Sequence, residues 1–173
     1  MTRRIVFGLT LITIIATSAA AVVAARSGPL SPELQAVRAA VAKYHSYDEA
    51  LAAGYSAAGE PCVSSPAGTM GYHATNAALI RSGRIDPLKP PILLYVPRAD
   101  GSLRLAGVEY WKADADQNLA TDGDRPSLFG QPFDGPMPGH NPTMPIHYDL
   151  HAWVAEDNPS GVFAQFNPTL ACP

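Results

Sequence analysis

Near the N-terminus apolar positions recur at helical spacing, and further along they alternate as on strands. Leu34, Val37, Val41 and Tyr44 repeat every three or four residues, the period of one helix face. Ser31-Pro32 stands just before them, a capping hydroxyl followed by a proline at the first helical position. Ser46-Tyr47-Asp48-Glu49 has the form of a capping box, which starts a second short helix. That helix runs through Leu51 to Ala53, and Gly54 suits its stop. Residues 55 to 69 are rich in Gly, Ser and Pro and read as loop. Met70-Gly71-Tyr72-His73 follows, and then a helical turn to Ile80.

Ile92 to Val96 is a short apolar run bounded by prolines, the signature of a buried strand. Arg98-Ala99-Asp100-Gly101 reads as a turn, and Leu103 to Trp111 as a second strand, so the two predict a hairpin. Simple alternation puts Leu103, Leu105, Gly107, Glu109 and Trp111 on one face, and Arg104, Ala106, Val108 and Tyr110 on the other. Ala113 to Pro145 has no hydrophobic period and holds six prolines and four glycines. Such a length without elements is unusual inside a compact domain. Leu128, Phe129, Phe133 and Met137 give it apolar anchors, which predicts an ordered loop. Alternation resumes from His147 to Val154, and a tail from Asn158 runs back toward Cys62 through Phe163 and Phe166. The expected fold is α+β: two N-terminal helices packed on a small antiparallel β-sheet, with a long ordered loop and one disulfide.

The start of the chain changes the cellular picture. Arg3 and Arg4 precede an apolar run from Ile5, and small residues follow around Ala19 to Ala25, the layout of an export signal. The expected division is a signal peptide over 1–25 and a single exported domain over 26–173. The apolar run is also long enough to span a bilayer, so an uncleaved membrane anchor is the alternative. Setting Arg3 and Arg4 aside leaves 10 basic against 15 acidic residues, a net charge of −5. No basic cluster remains, which argues against nucleic acid or anionic membrane surfaces as partners. Cys62 and Cys172 are the two cysteines. In an oxidising compartment they read as a disulfide, and a ring this long stabilises by at most about 4–5 kcal/mol.

The chemistry gathers in His147-Tyr148-Asp149-Leu150-His151-Ala152-Trp153. On a strand, His147, Asp149, His151 and Trp153 share one face. Pro145 before the run, β-favouring Tyr148, Trp153 and Val154 within it, and Pro159 after it argue against a helix. His147 and His151 would then sit about 13 Å apart along the backbone, so one ion more easily takes neighbours two residues apart. Glu109 lies among Val108, Tyr110 and Trp111, where a carboxylate is costly to bury unless paired or bound to a cation. With His73, these residues form a candidate transition-metal set: His73, Glu109, His147, Asp149 and His151. A row member not bound to the ion would orient a ligand by hydrogen bonding. The bland alternative is that Asp149 pairs with a histidine or Arg104 and the histidines are ordinary core residues. His45 reads as a turn histidine, and His140, in the long loop, as an exposed one that could enter the site as a mobile base or ligand.

Other machinery is weaker. Asp114, Asp116 and Asn118 alternate like the start of an EF-hand calcium loop, with Asp122 at the ninth position. Leu119 stands where that loop needs Gly, and Arg125 where it needs Glu, so calcium is disfavoured. There is no GxSxG elbow and no Gly-rich phosphate loop.

Ala52-Ala53-Gly54-Tyr55, Cys62, Met70-Gly71-Tyr72-His73, Gly107-Val108-Glu109-Tyr110 and the stretch from His147 to Trp153 together resemble a group of exported bacterial proteins to which no reaction is assigned. The resemblance spans roughly Val37 to Cys172 and implies export and a single domain. It implies no reaction.

The expectation is therefore a secreted or periplasmic metal-binding protein. Zinc, copper and iron all suit its His/carboxylate donors, and the metal is either catalytic or simply held. The second class is a metal-free module whose small-ligand pocket is lined by Tyr72, Trp111, His140 and Trp153. The third is an extracytoplasmic interaction protein.

Overall fold

Residues 28–173 are described by the computed structural model; the segment expected to be an export signal, 1–25, lies outside them. Helix α1 (Pro32–Val41) starts where the sequence directs, with the Ser31 hydroxyl accepting a hydrogen bond from the Leu34 amide at 3.3 Å. A 3-10 turn (Ala42–His45) leads to α2 (Tyr47–Ala52), capped by Ser46 through the Glu49 amide. Among the described residues no helix is long and apolar enough to cross a membrane.

The strands are β1 (Tyr55–Ser56), β2 (Val63–Ser65), β3 (Gly68–Asn76), β4 (Ile92–Pro97), β5 (Leu103–Ala113), β6 (Ser127–Leu128), β7 (Gln131–Pro132), β8 (Asp134–Met137) and β9 (His147–Ala152). A short helix, α3 (Ala77–Ser82), follows β3. Seven strands form one sheet in the order β1-β3-β4-β5-β9-β8, with β2 also on β3, and every pairing is antiparallel. Strands β6 and β7 form a separate ribbon. This is an α+β arrangement with few helices.

One sheet face carries the main core. Ala74, Leu93, Tyr95, Leu105, Val108, Tyr110, Tyr148 and Leu150 pack there with Leu34, Val37 and Val41 of α1. Burying an aliphatic side chain of this size contributes about 1.5–3 kcal/mol, so the helical periodicity of α1 is read out directly as packing. The tyrosines of this face end on acceptors. Tyr55 donates to Pro90 O at 2.8 Å, Tyr95 to Tyr44 O at 2.5 Å, Tyr110 to Pro87 O at 2.6 Å and Tyr148 to Asp124 Oδ1 at 3.0 Å.

The structure departs from simple alternation in three places. In the hairpin, Leu94 pairs with Gly107 but Tyr95 pairs with Leu105. Ala106 is the extra residue of a bulge, so Leu103 and Leu105 join Val108 on the core face instead of sharing Glu109's face. Met70 to His73 belongs to a nine-residue strand, and the Gly-rich stretch before it supplies β1 and β2. Small residues hid the period of β3, because Gly71 lets the Tyr95 carbonyl approach; a Cβ there would lie 2.3 Å from that oxygen. The aperiodic segment contains three short strands, with Phe133 buried in the main core.

Cys62 and Cys172 form the disulfide, closing a separation of 110 residues. Beside it, Thr69 and Asn167 exchange backbone hydrogen bonds at 3.0 Å, so the tail is laid against β3. A disulfide fits an oxidising compartment.

Candidate metal centre

Strand register assembles the polar face. Across β5 and β9, Glu109 is opposite His151, Trp111 opposite Asp149 and Ala113 opposite His147. Across β4, Ile92 is opposite Glu109, and Leu94 is opposite both Gly107 and His73. His73 is thus two strands from Glu109, a span of about 10 Å between backbones. The Glu and His side chains close that gap over Leu94 and Ile92.

His73 Nε2 lies 3.2 Å from Glu109 Oε2, and His151 Nε2 lies 3.7 Å from the same oxygen. One donor atom from each of the three residues falls within 4.8 Å of the others. Two ligands about 2.0–2.1 Å from a tetrahedral ion are about 3.3 Å apart, so the group is already near the size of a coordination shell. Glu109 and His151 side chains are 6% and 1% exposed, whereas His73 is 19% exposed. The accessible edge of the cluster is therefore the His73 side. Rings of His73 and His151 stand perpendicular, with centroids 6.2 Å apart.

Burial alone would push the Glu109 carboxyl up. The combined pull of His151, His73 and His147 outweighs burial and holds it down at about 2. His151 is pulled in the complementary direction: burial disfavours its charge, but Glu109 and Asp149 raise it above its ordinary value. Asp149 Oδ1 stands 3.6 Å from His151 Nδ1, on the ring edge away from Glu109. A carboxylate behind a ring nitrogen orients the imidazole and leaves the other nitrogen for an ion.

Hydrogen bonding divides this face from the core face. Among the described residues, buried side-chain atoms without a hydrogen-bond partner include Glu109 Oε2, both ring nitrogens of His151, Asp149 Oδ1, His147 Nε2 and Trp111 Nε1. Such atoms each cost about 1–3 kcal/mol if left unpaired in a folded protein. Most of the buried atoms in this group lie on the one sheet face, and each calls for an explanation that apolar packing does not give.

The remaining candidates separate. His147 is fully buried at the far end of the row, stacked on Trp111 with centroids 5.6 Å apart, and the ring of exposed His140 stands 5.4 Å from it. Tyr72 pairs with Tyr95 on the helix-covered face, away from Glu109 and His151. Trp153 lies past the end of β9, donates to Ala164 O at 2.6 Å and packs on Val96 and Ala106. Asp114, Asp116 and Asn118 form a local loop network, in which the Asn118 amide donates to both Asp114 and Asp116. His45 is exposed in the 3-10 turn. Arg104 pairs with Glu156 rather than with Asp149.

One functional-looking group was missed. Asp134 of β8 pairs across to Asp149. Burial and then repulsion from Asp149 push its carboxyl above the usual range. It lies in the aperiodic segment, where no alternation assigns it a face. Family models, curated proteins and solved structures give no match to this chain.

Proposed function

We propose that this is an exported protein that binds a divalent transition metal through His73, Glu109 and His151. The observation that carries the reading is the convergence of two imidazole nitrogens and a carboxylate oxygen within 4.8 Å, with Glu109 Oε2 and both ring nitrogens of His151 buried and lacking a well-formed hydrogen bond. Two histidines and one carboxylate are a ligand set used for zinc and for non-haem iron, and copper also accepts imidazole. With three protein donors, a further coordination position remains for water or a small ligand on the His73 side, the more exposed edge. Asp149 stands 3.6 Å behind His151 Nδ1, so a proton on Nδ1 is favoured and Nε2, on the Glu109 side, is left for the ion. An ion bound there would polarise whatever occupies the open position. The disulfide and the N-terminal sequence support a secreted or periplasmic location.

The test is metal content of the full chain carrying its own N-terminal segment, alongside His73→Ala, Glu109→Ala and His151→Ala. Near-stoichiometric zinc, copper or iron that drops in all three variants, with circular dichroism unchanged, is the expected result. Wild type that takes up none of the three metals when offered would overturn the reading. It would favour a metal-free ligand pocket on the same face.

A further inference from the structure

We propose a second, chemically distinct metal site at the other end of the polar row, formed by His147, His140 and Met144 beside Trp111 and suited to a soft monovalent ion such as Cu(I). His147 carries the argument. Its Nδ1 lies 3.1 Å from Pro145 O. A carbonyl only accepts, so Nδ1 bears the hydrogen and, in the neutral ring, Nε2 presents its lone pair. That nitrogen is buried and has no hydrogen-bond partner. A backbone carbonyl fixing one ring nitrogen while the other is bare is the arrangement that orients a metal-binding histidine. Stacking on Trp111, at an interplanar angle of 26°, further restrains the ring.

The other donors come from the segment between β8 and β9. The His140 ring stands across His147 at 5.4 Å between centroids. With metal–nitrogen bonds of about 2 Å, two imidazoles on one ion place their centroids about 5–6 Å apart. Met144 Sδ accepts a hydrogen bond from the His140 backbone N–H at 3.4 Å, which ties the thioether to the residue that carries the second imidazole, and its side chain packs on the Trp111 cluster. Both imidazoles and the thioether are neutral donors, and a thioether selects for Cu(I) over harder divalent ions. The Glu109 site is carboxylate-centred and has the opposite preference. His147 and His151 are about 13 Å apart along the strand, so the two ends of the row address separate ions. Both cysteines are in the disulfide, so no thiolate competes for a soft metal.

The experiment uses the full chain, stripped of metal and titrated with Ag(I), a redox-inert stand-in, in chloride-free buffer. Binding is followed by calorimetry and by tryptophan emission. The expected result is one tight Ag(I) equivalent that quenches emission. His140→Ala and Met144→Leu, both outside the strands, should each weaken it by at least about ten-fold. His73→Ala should leave it unchanged, and excess zinc should not displace it. The proposal is overturned if wild type binds no Ag(I), if His140→Ala and Met144→Leu both retain wild-type affinity, or if His73→Ala abolishes binding. Both variants lie in the segment between β8 and β9, so the test does not depend on replacing His147 within β9, and unchanged circular dichroism of each variant separates lost binding from lost folding.

Discussion

The two faces of the central sheet are made by the same strands but solve opposite problems. On the helix-covered face, Tyr95, Tyr110 and Tyr148 bury their rings and hand each hydroxyl to an acceptor. On the other face, His147, Asp149 and His151 are equally buried, yet most of their ring and carboxylate atoms face no hydrogen-bond partner. Neighbouring residues on one strand, such as Tyr148 and Asp149, thus belong to different regimes. The lesson is that burial alone does not define a core; satisfaction of the buried polar atoms does.

The comparison breaks most visibly with a cavity. Leu93→Ala removes a fully buried side chain from the core face and should cost about 2–5 kcal/mol. Urea unfolding should show the loss, while the remaining folded protein keeps its metal stoichiometry. A smaller effect is expected in the opposite direction on the polar face. Zinc at a hundred-fold excess over its dissociation constant should stabilise wild type by about 2.7 kcal/mol. Thermal unfolding of His151→Ala should not respond.

A pH scan of the metal-free protein sharpens the contrast. Glu109 is held down at about 2, so its contribution is complete above the unfolded value of 4.5 and is lost as pH falls toward 2. His151 is raised, so its contribution is complete below 6.5 and is lost as pH rises through the higher folded value. Stability of metal-free wild type relative to Glu109→Gln should therefore be greatest between 4.5 and 6.5. Wild type and Glu109→Gln curves that stay parallel from pH 3 to 8, a range of about five units spanning both ordinary values, would contradict this. The smallest expected change is Tyr110→Phe. It deletes the bond to Pro87 O and should cost about 1 kcal/mol, with no change in metal uptake.

Local signals carried much of this fold. Ser31-Pro32 and Ser46 located the helix starts because a cap is a short-range event. Alternation from His147 to Ala152 identified the row because its period survives in sequence. What was not legible depends on partners. The bulge at Ala106 is a property of the β4–β5 pairing, and nothing in Leu103 to Trp111 breaks the alternation it overrides. Gly107 is the visible trace: a Cβ there would lie 2.7 Å from the Ala152 carbonyl. His73 and Glu109 were both nominated, but their meeting across β4 required a register that no single strand encodes. Sequence spacing already kept His147 and His151 about 13 Å apart, but it did not say which end of the row meets Glu109 and His73. The lone pair of His147 is defined only by where Pro145 turns its carbonyl.

The bridge between Cys62 and Cys172 has a topological consequence. His73, Glu109, His140, Asp149, His147 and His151 all lie within the covalent ring it closes, whereas α1 and α2 lie outside it. A protease that severs one peptide bond between Ala113 and Pro145 opens that ring without releasing a fragment. The nicked molecule would migrate as one species until reductant is added, and then as two. Every donor atom would therefore be inherited by a single particle through a cut that would disperse them in an unbridged chain.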